Sequence, residues 1–196
     1  MAKLRALLLV PAIAAAPAVG GAAAAKTFTR AKNPCLGTDK ADTITDTNSP
    51  EKIKTLEGRD DVDGFGGADT ILGGPKRVLL YGMGGEDYVY GGTGNDLLHA
   101  YFSDDVEGTE YNFGGEGDDD VWGGYGADRI EGGKSADVLN DQFGPTIGRP
   151  ADVDFVNGGS GANSVDVFDG DALDVVCNGS FVQSDPGDGV NSATCP

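Results

Sequence analysis

GGTGNDLLH, residues 91–99, places three glycines in four positions, then the carboxylate of Asp96, then Leu98 two places behind it. Glycine gives up more chain entropy on folding than any other residue, so this density answers a geometric need. The stretch also recurs. Frames of nine laid from Gly37 read GTDKADTIT (37), DTNSPEKIK (46), TLEGRDDVD (55), GFGGADTIL (64), GGPKRVLLY (73), GMGGEDYVY (82), GGTGNDLLH (91) and AYFSDDVEG (100), with no insertion. Position six holds Asp42, Glu51, Asp60, Asp69, Val78, Asp87, Asp96 and Asp105. Position eight holds Ile44, Ile53, Val62, Ile71, Leu80, Val89, Leu98 and Glu107. A spacing of five, TEYNF (109–113), interrupts the count. It resumes with GGEGDDDVW (114), GGYGADRIE (123) and GGKSADVLN (132), which place Asp119, Asp128 and Asp137 at six and Val121, Ile130 and Leu139 at eight. After an irregular stretch at 141–148 come weaker copies, RPADVDFVN (149) and GGSGANSVD (158).

A unit of nine is too short for a helical repeat. It suits a turn of six followed by a strand of three, x-U-x, whose middle residue alone faces inward. Glycines then fall where the backbone needs φ > 0 or meets another backbone closely. One unit cannot bury its single apolar side chain, but stacked units bury a ladder. The expected fold is all-β: a parallel β-roll, a right-handed β-solenoid in which two units make one coil and each turn stacks on the turn two units further along the chain. Asp42 then lies beside Asp60, and Asp69 beside Asp87. Asp96 lies beside Asp119 and Asp137 if TEYNF bulges out. Carboxylates in rows about 4.8 Å apart repel strongly unless a cation lies between them. Calcium fits, since it takes six to eight oxygens and glycine turns offer bare carbonyls beside the carboxylates. Magnesium demands a tighter octahedron, and zinc prefers nitrogen or sulfur.

GGTGNDLLH, GGEGDDDVW and GGYGADRIE fit G-G-x-G-x-D-x-U-x, and GFGGADTIL and GMGGEDYVY are near variants. In these residues the chain resembles the repeats-in-toxin (RTX), or haemolysin-type, calcium-binding nonapeptide family, over roughly residues 37–166. The resemblance implies calcium held between successive turns by the position-six aspartates and loop carbonyls. Asp69, Asp87, Asp96, Asp119, Asp128 and Asp137 are the best-placed ligands. Asp42, Asp60 and Asp105 sit in poorer loops. The frame GGPKRVLLY departs from the pattern: Val78 replaces the carboxylate, and Lys76 and Arg77 offer cations to neighbouring acids. The resemblance is to the repeat module alone, without a toxin or protease domain.

The rest of the chain bounds its setting. Lys3 and Arg5, the apolar run 7–19 and the A-x-A of Ala23 and Ala25 read as a secretory signal peptide over 1–25, too short in its apolar run to span a membrane. The expected domains are then a lead-in over 26–36, the roll over 37–166 and a C-terminal cap over 167–196. A net charge of −18 opposes nucleic acid and anionic membranes, and its patterning argues against a disordered acidic chain. The expectation is a secreted, extracellular protein. Cys177 and Cys195 lie beyond the roll and are the natural disulfide, leaving Cys35 free or paired between molecules, unless the cap folds back to reach it.

No HExxH motif occurs and His99 is the one histidine, placed on an outer strand face. Repeated, equivalent carboxylates resemble a metal ladder more than a catalytic pair, which needs two unlike environments. The chain is therefore read as a non-enzyme with a structural or cell-surface role. A calcium-dependent adhesion or carbohydrate-binding module, with an extracellular ligand on outer aromatics such as Tyr90 and Trp122, is the alternative. A secreted hydrolase is the third reading.

Overall fold

The computed structural model describes residues 27–29, 34–99, 109–141, 153–167, 175–178, 181–184 and 189–191. Every strand within it is short and every pairing parallel. One sheet, A, contains β1 (Thr27–Thr29), β3 (Thr43–Thr45), β5 (Asp61–Asp63), β7 (Leu79–Tyr81), β9 (Leu97–His99), β11 (Asp120–Trp122), β13 (Val138–Asn140), β15 (Ser164–Val167) and β17 (Phe181–Ser184), in that spatial order. The other, B, contains β2 (Cys35–Leu36), β4 (Lys52–Lys54), β6 (Thr70–Gly74), β8 (Tyr88–Thr93), β10 (Tyr111–Glu116), β12 (Arg129–Lys134), β14 (Phe155–Ser160), β16 (Val175–Cys177) and β18 (Gly189–Asn191). Consecutive strands alternate between the sheets, so the chain winds as a parallel β-roll.

The core is one residue deep from each side. Ile44, Val62, Leu80, Leu98, Val121, Leu139 and Val165 stack in register on sheet A. Ile53, Ile71, Val89, Ile130 and Val156 do so on sheet B, and all of these are fully buried. Where the count of nine is unbroken, each residue pairs with the one two units on, as in Thr43↔Asp61 and Leu79↔Leu97. The pairings Leu97↔Asp120 and Val138↔Ser164 span more of the chain, because each encloses one of the two interruptions in the count.

Two features differ from the sequence expectation. The stretch TEYNF is not a bulge: Tyr111–Phe113 opens β10, and Asn112 takes the inward place between Val89 and Ile130. The surplus residues fall upstream, before β10. A β-strand needs only an x-U-x triplet flanked by turn residues, and YNF followed by Gly114–Gly115 supplies one; Asn112 fills the core position that the unbroken count gives to Glu107. Second, the two sheets extend beyond residues 37–166. β1 and β2 pair onto β3 and β4 at one end, and β16, β17 and β18 continue both sheets at the other. There Phe155 pairs with Val175, Ser164 with Phe181 and Val175 with Gly189. These steps are unequal, so the coils continue while the period of nine is lost. Cys35 is buried and free. Cys177 is disulfide-bonded. Cys195 and the 1–25 segment lie outside the described residues.

The repeat glycines divide their work. In GGTGNDLLH, Gly92 and Gly94 have φ of 107° and 138°, the left-handed region. Gly91 does not, but a Cβ there would lie 2.6 Å from Oδ2 of Asp96 and 2.6 Å from the Gly114 carbonyl oxygen of the next coil. The bare position one at Gly91 therefore lets the position-six carboxylate and the neighbouring coil approach.

Candidate metal sites along the two edges

The turns form two edges. Turns from sheet B to sheet A bring Asp42, Asp60, Val78, Asp96, Asp119, Asp137 and Asn163 into one row; turns from A to B bring Glu51, Asp69, Asp87, Glu110, Asp128 and Asp154 into the other. One hydrogen bond repeats along both. Where the counterpart on the next coil is an aspartate, the backbone N–H of a position-six residue donates to its Oδ1, as from Asp42 to Asp60 at 2.8 Å, Asp69 to Asp87 at 2.8 Å, Asp96 to Asp119 at 2.8 Å and Asp119 to Asp137 at 3.0 Å. The carbonyls of the same residues accept from position seven of the next coil, as the Asp60 carbonyl does from the Leu79 N–H at 2.9 Å.

One carboxylate oxygen is thus spent holding the coils together. The other is not. Among the described residues, Oδ2 of Asp69, Asp87, Asp96, Asp119 and Asp137 is buried and accepts no hydrogen bond. Leaving a charged acceptor buried and unmatched is costly, and the electrostatics register that cost. Burial, countered by the amide bond from the preceding coil, pushes Asp87 and Asp137 up to about 6. Asp96 also reaches about 6, with the nearby Arg77 pulling it down. Asp69 and Asp119 rise to about 7, where burial is joined by neighbouring carboxylates. Lys76 and Arg77 thus mark a break in the first row, where Val78 donates its amide to Asp96 Oδ1 at 2.9 Å but offers no carboxylate.

The expected ligands divide between the edges: Asp42, Asp60, Asp96, Asp119 and Asp137 on one, Asp69, Asp87 and Asp128 on the other. Asp105 lies outside the described residues, and the register gives its expected place to Glu110. Glu110 is buried, its N–H donates to Asp128 Oδ1 at 3.0 Å, and burial with the adjacent Asp128 pushes its carboxyl well up.

Two carboxylate groups join an expected ligand, Asp69 or Asp128, to acids not expected as ligands. Asp46, Glu51 and Asp69 bring one oxygen each within 4.8 Å of one another, and so do Asp128, Asp141 and Asp154. Asp46 and Asp141 occupy position one, where most coils have glycine and Thr55 is a further exception. Glu51 and Asp154 are position-six residues, so the count itself marks their places. Asp46 and Asp141 carry a weaker signal, an acid in place of the first glycine.

The donor set tests which ion fits. Both groups offer carboxylate oxygens only, with no imidazole or thiolate, and the turns add backbone carbonyls. That is a hard-cation environment suited to calcium and poorly matched to zinc. His99 stands apart from these edges on the outer face of sheet A, between Tyr81 and Trp122 at ring separations of 5.7 and 5.2 Å.

The family described as RTX calcium-binding nonapeptide repeat (4 copies) matches residues 47–75, 63–98 and 113–140. No curated protein and no solved structure matches the chain. The three matched ranges carry the glycine turns and the carboxylate rows described above. Over these residues the chain carries RTX calcium-binding nonapeptide repeats, and calcium is the ion those repeats take.

Proposed function

We propose that the protein is an exported, non-catalytic structural element whose β-roll is set by calcium. The observation that carries this reading is the row of buried aspartate oxygens without partners: Oδ2 of Asp69 and Asp87 on one edge, and of Asp96, Asp119 and Asp137 on the other. These residues, with Asp128, are the proposed principal ligands, and Asp42 and Asp60 the secondary ones. Bound calcium supplies positive charge that cancels repulsion along each row and satisfies the stranded oxygens. The chain's own residues do the rest. Oδ1 latches each coil to the next, position-one glycines leave room for Oδ2, and the one-residue-deep core orders the strands. Such a core is thin for its surface, so coil stability should depend on the edges.

Export is supported by the basic start at Lys3 and Arg5, the apolar run 7–19 and the Ala23–Ala25 cleavage pattern. Extracellular calcium modules work with dissociation constants of about 10⁻⁴ to 10⁻³ M, so folding would follow export. The non-catalytic reading is supported by the shared environment of the position-six carboxylates.

Binding of a flat sugar face has less support. Tyr88 and Tyr111 stack at 4.4 Å with planes 1° apart, and Tyr90 and Phe113 at 4.8 Å and 7°. Ring faces covered by one another present mainly edges to solvent.

Limited proteolysis tests the proposal. In millimolar calcium a protected fragment spanning the roll is expected, and in excess chelator at neutral pH rapid cleavage throughout. Equal resistance in both conditions would rule out a calcium-set fold.

A further inference from the structure

The outer faces of the two sheets are complementary to each other. Coil by coil, β4 on sheet B presents Lys52 and Lys54, while β5 on sheet A presents Asp61 and Asp63. Among the described residues neither lysine has a carboxylate within ion-pair distance. Beyond these charged strands both faces turn apolar over the same coils. Sheet B continues through Leu72 into the stacked pairs Tyr88–Tyr111 and Tyr90–Phe113. Sheet A continues through Leu79 and Leu97 beside the Tyr81–His99–Trp122 ladder. At the far end Arg129 on β12 is paired with Glu131 of its own strand, and Asp120 on β11 accepts from Nε1 of Trp122, so the charge match between the faces rests on β4 and β5.

We infer that the calcium-loaded roll associates with further copies of itself side by side, the outer face of sheet A on one copy packing against the outer face of sheet B on the next. Copies related by translation, with parallel axes, bring Asp61 and Asp63 level with Lys52 and Lys54, and one aromatic ladder level with the other. The match identifies the partner. A face carrying two adjacent aspartates and an apolar stripe is met by a face carrying two adjacent lysines and an apolar stripe in the same register, and this chain contains both. Two sheets facing each other through such outward side chains pack about 10 Å apart, the ordinary spacing of stacked sheets. The two faces differ, so the contact is heterologous: each copy retains one unused face of each kind, and the assembly grows as an open row instead of closing at a dimer. Opposed charges at the first coil fix the register, since a shift by one coil would leave the lysines against threonine or leucine positions. Association depends on strand register and surface charge, not on the identity of the bound ion.

Sedimentation of the full chain in millimolar calcium tests it. Average mass is expected to rise with protein concentration past that of a dimer. The charge-reversed chains Asp61→Lys/Asp63→Lys and Lys52→Glu/Lys54→Glu should each sediment as monomers, because each sets like charges against its own copies. An equimolar mixture of the two should regain the concentration-dependent mass, since every contact then pairs opposite signs. Strand signal by circular dichroism checks that both variants, altered only at outward positions, remain folded. A wild-type chain that stays monomeric, or stops at a dimer, overturns the inference without any variant. So do variants that associate as the wild type does, or a mixture that stays monomeric.

Discussion

The N–H of Asp69 donates to Oδ1 of Asp87 across 2.8 Å, while Oδ2 of Asp87 lies buried with no hydrogen-bond partner. The same division recurs at Asp96, Asp119 and Asp137. One oxygen belongs to the fold and the other is available to an ion, so the two roles can be separated by substitution.

Asp119→Asn keeps an acceptor for the Asp96 amide but removes the charge; Asp119→Ala removes both. Asn163 already performs the latch alone, accepting from the Asp137 N–H at 3.0 Å. Both variants should lose bound calcium in a titration. In saturating calcium the alanine variant should be the less stable by about 1–3 kcal/mol, the cost of a stranded buried amide. Equal stability of the two in denaturant would contradict the latch.

Burial raises the folded-state carboxyls of Asp87, Asp96 and Asp137 to about 6, and of Asp69 and Asp119 to about 7, above the ordinary value near 4. The folded state therefore holds more protons than the unfolded chain between about pH 4 and 7. Stability of the calcium-free protein should be fullest at the acid end of that window and decline as pH rises through 6 to 7. Melting in chelator should occur at a higher temperature at pH 5 than at pH 8. Calcium competes with the same protons, so its affinity should weaken over the same interval as pH falls. A calcium-free melting temperature that rises with pH would show the signs to be reversed.

The count of nine carries most of this architecture. Because the strand triplet is x-U-x and the coil is two units, Asp69 and Asp87, or Leu80 and Leu98, can be placed side by side from their spacing alone. Tyr81 beside His99 and Leu72 beside Tyr90 follow in the same way. What the count misses is where the chain departs from nine. Asn112 is polar, so its triplet does not read as a strand, and the count puts the break at TEYNF instead of at the residues before it. Cys35 pairs with Ile53 one unbroken coil on, yet a strand as short as Cys35–Leu36, beside a proline, offers little pattern. Past residue 167 the steps between paired strands are unequal while backbone pairing persists, and periodicity cannot report pairing of that kind. Asp46 and Asp141 lie outside the position-six row, and only the coil geometry brings them to it.

Position two of several coils carries a side chain in the left-handed region: Phe65 at φ 68° and Met83 at φ 75°. Leu56, at φ 73°, is a third, and glycine holds that place in the same region at Gly74, Gly92, Gly115, Gly124, Gly133 and Gly159. Phe65→Gly should stabilise the calcium-loaded fold by about 1 kcal/mol, the strain of an L-residue there. Gly92→Ala should destabilise it by more, because its Cβ would lie 2.3 Å from the Gly74 carbonyl oxygen. Thermal denaturation of the two variants, expected to shift in opposite directions, checks both.

Asn112 interrupts the apolar ladder of sheet B between Val89 and Ile130. It donates from Nδ2 to the Trp122 carbonyl at 3.3 Å, but Oδ1 is buried without a partner. Asn112→Val removes that stranded acceptor and restores an apolar residue. It should raise stability by about 1 kcal/mol, measured by chemical denaturation in calcium. A loss of stability would mean that the bond to Trp122 outweighs the buried oxygen.

If the unpartnered aspartate oxygens hold calcium and the coils depend on it, metal uptake and folding must occur together. Calorimetric titration of the metal-free chain with calcium at pH 7.5, followed at each step by circular dichroism, measures both. Uptake of several ions per chain with a parallel gain in strand signal is expected. Absence of uptake, or uptake with strand content unchanged from the chelated protein, would contradict that dependence.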